Sequence, residues 1–92
     1  MSDRIDRARA LLEAALHQVE GELADPGGTL CKAQLGTCRE TLLAYLAAVE
    51  AGRLPPRRER PEGLCKLVVD AWPFDAPVSA AVLAAERAFR NA

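Results

Sequence analysis

Thiol and imidazole groups are the side chains in this sequence best suited to metal or redox chemistry. The chain has three cysteines, Cys31, Cys38 and Cys65, and one histidine, His17. These four side chains could form a three-cysteine, one-histidine zinc site, but no Cys-x-x-Cys pair is present. In an intact helix Cys31 and Cys38 lie about 10 Å apart along the axis, too far for one tetrahedral ion. We therefore expect small buried thiols, with no metal and no other cofactor.

Two further chemical roles are open to these residues. Cys31 and Cys65 each precede a lysine, a setting in which a thiolate can act as a redox sensor. His17 is flanked on a predicted helix by Glu13 and Glu20, at the spacing that lets three side chains share one surface and ligate a metal. The alternative for His17 is an exposed residue with favourable neighbours. A metal or thiol sensor is therefore our third functional hypothesis.

Groups suited to catalysis are few. The single histidine is accompanied by serines only at positions 2 and 79. Neither a Gly-x-Ser-x-Gly sequence nor a phosphate-binding glycine loop occurs. Residues 25–29, Asp-Pro-Gly-Gly-Thr, could hold an anion on backbone amides at a helix start, but such a sequence is more often only a turn. We expect a protein that is not an enzyme.

Arginine is concentrated in a proline-containing segment, which we call the basic arm and define by Arg53, Arg57, Arg58 and Arg60. Guanidinium groups suit bidentate contacts with phosphate or carboxylate, so the basic arm could bind nucleic acid or an acidic partner. No aromatic residue interrupts it for base stacking, and the net charge of the whole chain is −1. The alternative is a solvated linker. Binding through the basic arm is our second functional hypothesis.

Two of the aromatic residues lie together in the sequence Trp72-Pro73-Phe74. As core residues, these rings would close the open end of a helical hairpin. As surface residues, they would be aromatic contacts of the kind that dominate binding energy at interfaces. The core interpretation is preferred, and both rings are kept as interface candidates.

The elements that must position these side chains are all predicted to be helices. We expect an all-α fold in one domain, residues 1–92, with a Pro/Arg-rich linker over 53–63. Two long helices would form an antiparallel hairpin covered by two shorter ones. The predicted ranges are about 3–24, 30–51, 61–71 and 76–90.

Apolar residues at spacings of three and four carry this prediction. Each predicted helix has one such stripe, and the linker has none. The stripes are Ile5, Ala8, Leu12, Ala15, Val19 and Leu23; Leu35, Cys38, Leu42, Tyr45 or Leu46, and Val49; Leu64, Leu67 or Val68, and Ala71; and Val78, Val82, Ala85 and Phe89.

The helix ends are predicted from capping residues. Gly52 follows the second stripe, where a left-handed cap would end the helix. Asp75 is the expected N-cap of the fourth helix, with Pro77 in its first turn. Within the second helix, Gly36 precedes Thr37-Cys-Arg-Glu40, which has the form of a capping box. One continuous helix is favoured, and a break near Gly36 is the alternative.

Both long helices carry apolar faces wider than one neighbour needs. Excess apolar surface on a small chain is commonly buried against another subunit. Our leading hypothesis is therefore a non-enzymatic helical protein-interaction module that forms a homo-oligomer or binds another protein. The interface candidates are Leu12, Leu16, Leu43, Leu46, Trp72 and Phe74.

Location is predicted from what the sequence lacks. No apolar run reaches the roughly eighteen residues that a membrane span requires. The N-terminus has no apolar signal-peptide core, and the odd number of cysteines favours reduced thiols. We expect a cytoplasmic protein with no membrane partner.

Overall fold

The computed structural model describes residues 3–59, 63–73 and 75–92. Within these ranges the chain forms four α-helices and one short 3-10 turn and contains no strand, which confirms the all-α prediction. The helices are α1 (Asp3–Ala24), α2 (Lys32–Ala51), α3 (Gly63–Ala71) and α4 (Pro77–Asn91), and the 3-10 turn is Arg57–Glu59.

The long helix α2 continues without a break through Gly36. Thr37 lies inside the helix, where its hydroxyl donates to the carbonyl oxygen of Ala33 at 3.1 Å instead of capping a new start. The helix ends as predicted at Gly52, which has φ 68° and donates its amide to the carbonyl of Val49. The predicted continuous helix is thus confirmed, although it begins at Lys32, after Cys31 as N-cap.

The turn between α1 and α2 is held together by one side chain. The Lys32 ammonium group donates to the carbonyl oxygens of Glu22 and Asp25, each at 2.5 Å. The Asp25 carboxylate accepts the amide of Gly27 at 2.9 Å. Carbonyls near the end of a helix have no partner within it, so a cation placed there satisfies them and complements the helix dipole. This lysine closes the hairpin in an antiparallel arrangement.

The second half of the chain departs from prediction in its details. The N-cap of α4 is Ala76, with no side-chain cap, so the expected cap at Asp75 is wrong by one residue. Pro77 is the first residue of α4, because its missing N–H needs no partner there. In α3, Leu64 and Val68 are buried as expected, but Ala71 is exposed. Residues 61 and 62, predicted to begin the third helix, lie outside the described residues.

Helix α1, rather than the α1–α2 hairpin as a unit, is the centre of the packing. It packs against both α2 and α4, whereas α3 packs against α4. Four residues of α1 are completely inaccessible to solvent, and two of them are alanines: Ala8, Leu12, Ala15 and Val19. Small side chains let neighbouring helices approach on two sides of one helix. The fold measures 41 × 22 × 20 Å, with the long helices along its length.

One cluster of side chains from all four helices forms the core. The predicted stripes supply nearly all of it, and Tyr45 rather than Leu46 is the buried member of the second stripe. Trp72 joins the cluster between α3 and α4. The buried apolar residues are Ala8, Leu12, Ala15, Val19, Leu35, Cys38, Leu42, Tyr45, Val49, Leu64, Val68, Trp72, Val78, Val82, Ala85 and Phe89.

Candidate functional site

A buried carboxylate is the most unusual chemical group in the fold. Glu86 on α4 is completely inaccessible, although its neighbours in the stripe are apolar. Its Oε2 accepts hydrogen bonds from the Tyr45 hydroxyl at 2.6 Å and from the Leu64 amide at 3.0 Å. Its Oε1 accepts the Cys65 amide at 2.8 Å. A charge is tolerated in a protein interior when hydrogen bonds replace its lost hydration, and these three donors provide that replacement.

These contacts give Glu86 a defined structural role. The amides of Leu64 and Cys65 belong to the first turn of α3, whose N–H groups have no partner within the helix. A carboxylate at that position also complements the positive end of the helix dipole. Tyr45 approaches from α2, and its ring stacks on Phe89 with centroids 4.3 Å apart. Glu86 therefore caps α3 and joins it to α2 and α4.

The groups around Glu86 are held in their neutral forms. Burial, followed by the nearby carboxylate of Glu86, raises the pKa of Cys38 to about 12. Burial, followed by interaction of the thiol with the nearby carboxylate of Glu86, raises the pKa of Cys65 to about 11. The pKa of Tyr45 is also raised, first by burial and then by its hydrogen bond to Glu86. Neutral thiols are poor nucleophiles and poor metal ligands, so this centre is arranged for stability rather than for thiol chemistry.

The candidate metal ligands on α1 do not form a metal site in the described part of the chain. Glu13 and His17 are exposed on α1, and Glu20 forms an ion pair with Arg39 at 3.3 Å. In the part of the chain that the structure describes, no group of three or more His, Cys, Asp or Glu side chains is close enough to hold a metal. All three cysteines are free, with Cys31 alone exposed.

Two of the interface candidates are unavailable at the surface. Leu12 is completely buried, because α2 and α4 pack on both sides of α1. Trp72 is 4 % exposed, and its indole N–H donates to the Oε1 of Gln34 at 3.3 Å. Both residues are corrected from interface candidates to core residues. Phe74 lies outside the described residues.

The other three candidates share one surface, which we call the leucine seam and define by Leu16, Leu43 and Leu46. The ion pair between Glu20 and Arg39 marks where α1 meets α2. Leu16 lies one helical turn before Glu20, and Leu43 one turn after Arg39, so in antiparallel helices both lie on the same side of the ion pair. Leu46 continues the row along α2. Leu43 is 37 % exposed, whereas Leu16 and Leu46 are half-buried.

The basic arm follows the end of α2. Arg53 and Arg58 are exposed, and Leu54 packs against the core between them. Within the predicted linker the chain forms a 3-10 turn at Arg57–Glu59. Arg60 lies outside the described residues, and the side chain of Arg57 is not described. Binding by the basic arm stays a prediction.

A second set of arginines surrounds a groove between α1 and α4, which we call the arginine groove. Its volume is about 470 Å³, and it lies where the start of α1 meets the end of α4. Arg4 and Arg7 come from α1, and Arg87 comes from α4. The remaining lining residues are Leu11, Ala84, Ala88 and Asn91.

Sequence patterns alone do not single out Arg4, Arg7 or Arg87 as a group. Each lies just beside an apolar stripe, but nothing in the sequence says that the flank of α1 faces the flank of α4. Glu86 had a clearer signal, because it follows Val82 by four residues and precedes Phe89 by three. A charged residue at a core position of a stripe indicates a buried polar contact.

A smaller cavity of about 270 Å³ lies at the opposite end of the same two helices. It is lined by His17, Gln18, Gly21, Glu22, Pro77 and Val78. Its lining combines one imidazole and one carboxylate with no arginine or lysine. The arginine groove is therefore the more strongly charged of these two openings.

Two comparisons with known proteins, by family model and by sequence, found no relative of this chain. No known protein-family model matches the sequence. A search of curated proteins likewise gave no significant match. Among the described residues, no helix is both long enough and apolar enough to cross a bilayer.

Proposed function

We propose that this chain is a non-enzymatic protein-interaction module that self-associates through the leucine seam. The observation that carries the proposal is the exposure of Leu43, 37 %. Helical spacing and the ion pair between Glu20 and Arg39 place the half-buried Leu16 and Leu46 on the same side of the fold. Among the described residues the other exposed large apolar side chain is Val69 on α3, outside the leucine seam. Large apolar side chains left at the surface of a small protein are favourable to bury against a second copy.

The arrangement of the leucine seam supports a symmetric dimer. In a two-fold dimer the same surface is used by both copies, so a row of leucines on one copy meets the same row on the other. Glu20 and Arg39 lie at one end of the row and form an ion pair within the chain. A polar border around an apolar centre is the usual composition of an interface.

The non-enzymatic part of the proposal is supported by the state of the polar groups. The carboxylate of Glu86 accepts three hydrogen bonds from the protein itself. The side chain of Ser79 is completely buried, so a substrate could not reach the serine hydroxyl. Cys38 and Cys65 have raised pKa values and are protonated at neutral pH. We also propose a cytoplasmic location, which the three free cysteines support.

The test is the mass of the protein in solution as a function of concentration. We expect light scattering to show a dimer at high micromolar concentration that dissociates on dilution. Leu43→Glu places a charge in the leucine seam and should give a monomer with an unchanged helical circular dichroism spectrum, because burying an unpaired charge is unfavourable.

The matched control is Val69→Glu. Val69 on α3 is the other large apolar residue exposed among the described residues, at 56 %, and it lies outside the leucine seam. This variant should still dimerise. A wild-type protein that stays monomeric throughout would overturn the proposal. So would a dimer that is lost in Val69→Glu and retained in Leu43→Glu.

A further inference from the structure

We infer that the arginine groove binds a small soluble organic phosphate. The inference is independent of self-association, because the groove lies between α1 and α4 whereas the leucine seam lies between α1 and α2. Three guanidinium groups from two helices, Arg4, Arg7 and Arg87, line one opening. Its volume of about 470 Å³ lies within the range typical of small-molecule sites.

The arginines of the arginine groove form no ion pair with a described carboxylate. Within the described residues, ion pairs form at Arg9 with Asp6, 3.7 Å, and at Arg39 with Glu20, 3.3 Å. Arg4, Arg7 and Arg87 form none with the described carboxylates. Three like charges around one opening create a positive potential there, so an external anion is the natural complement.

The number of guanidinium groups favours phosphate over a single carboxylate. A carboxylate has one charge and two oxygens, which one arginine satisfies in a bidentate contact. A phosphate monoester carries up to two negative charges and three terminal oxygens, enough to accept from arginines on both helices. The number of arginines, and their origin on two helices, therefore favour an anion with several charged oxygens at one end.

The rest of the lining favours an organic group attached to that phosphate. Leu11 is half-buried, and Ala84 and Ala88 present only methyl groups from α4. A compact apolar or aromatic portion of the ligand could cover these side chains, whereas a free phosphate ion would leave them exposed to water. The preferred ligand thus has a phosphate that contacts the arginines and a small apolar portion that contacts Leu11, Ala84 and Ala88.

The test is titration of the full chain with phenyl phosphate, followed by calorimetry and by amide chemical shifts. We expect saturable binding with shifts concentrated in α1 near Arg4 and Arg7 and in α4 near Arg87. Arg7→Ala and Arg87→Ala should each weaken binding by about tenfold or more, since each removes charge-assisted hydrogen bonds. Both residues are exposed, and circular dichroism should show that the variants stay folded.

The matched control is Arg58→Ala, an exposed arginine of the basic arm outside the groove lining. It should bind phenyl phosphate as the unmodified chain does. An equal loss in Arg58→Ala and Arg87→Ala would overturn the inference in favour of unspecific attraction. Failure of phenyl phosphate to saturate at millimolar concentration would also overturn it.

Two other probes test the chemistry and the source of the phosphate. Phenylacetate presents the same ring with a carboxylate and should bind at least about tenfold more weakly; equal affinity would overturn the preference for phosphate. Phosphatidylcholine vesicles containing phosphatidate should retain no more protein than vesicles without it. Retention on phosphatidate vesicles without binding of phenyl phosphate would assign the groove to a lipid surface and overturn the soluble ligand.

Discussion

At the scale of single residues, the three cysteines show how strongly position in the fold controls reactivity. Cys31 precedes α2 and is exposed, and Cys65 is half-buried in the first turn of α3. Cys38 is buried on the core-facing side of α2. Only the thiolate form of cysteine attacks electrophiles. The lysine that follows Cys65 in sequence does not activate it, because burial and the nearby carboxylate of Glu86 favour the neutral thiol.

We expect a thiol reagent to modify Cys31 first, with Cys65 and Cys38 reacting far more slowly at pH 8. Because the pKa of Cys65 is raised to about 11, its thiolate fraction and its rate should rise about tenfold for each pH unit between 8 and 10. Peptide mapping by mass spectrometry after timed alkylation measures each site. The Cys31→Ser variant removes the fast site as a control. Rapid modification of Cys65 at pH 8 would instead support a thiol sensor.

At the scale of elements, α3 depends on a residue that is distant in sequence. Glu86 on α4 accepts the first amides of α3 and the hydroxyl of Tyr45 on α2. A helix of nine residues is too short to be stable by itself, so its stability must come from packing and capping. Trp72 adds a second attachment through its hydrogen bond to Gln34 at the start of α2.

We expect Glu86→Gln to lower the free energy of unfolding by about 2–4 kcal/mol, because one accepting oxygen becomes a donor facing other donors. Tyr45→Phe removes one of the three donors and should cost about 1 kcal/mol. Urea denaturation measures both values, and hydrogen exchange should show the larger loss of protection in α3. Glu13→Gln, on the exposed face of α1, is the matched control and should be near neutral. A Glu86→Gln protein as stable as the unmodified chain would contradict the capping role.

At the scale of the whole molecule, the long dimension of the fold and the position of the leucine seam together determine the expected shape of a dimer. The long helices follow the 41 Å dimension, and the leucine seam follows these helices. Two copies joined through the leucine seam therefore lie side by side. The arginine groove and the basic arm both lie near one end of the molecule. A dimer joined through either of them would be longer than one copy, because the second copy would extend past that end.

Small-angle scattering distinguishes these shapes. We expect the dimer to keep a length close to the 41 Å of one copy while its width roughly doubles, as packing of helices side by side requires. The Leu43→Glu variant supplies the monomer reference, for which the Cα radius of gyration is 12.7 Å. A dimer nearly twice as long as one copy would place the interface at an end of the molecule and contradict the leucine seam.

The local features of this fold follow from the sequence by itself. Apolar spacing predicts each helix and nearly every buried side chain, from Ala8 to Phe89, because burial along a helix repeats with the helical period. Gly52 predicts the end of α2, because glycine adopts positive φ without steric cost. The position of each helix, the side of it that is buried and the residue at which it ends depend on residues close in sequence, so the order of residues alone predicts them.

The tertiary structure decided which helix faces meet. The stripes do not tell that α1 packs against α4 as well as α2. They therefore left Leu12 both a stripe residue and an interface candidate, and they could not decide which side of the fold Leu16, Leu43 and Leu46 occupy. The arginine groove has the same origin, since Arg7 and Arg87 are eighty residues apart in sequence and lie on facing helices. Local patterns set how much surface each helix must bury, whereas side-chain packing between helices decides which partner buries it.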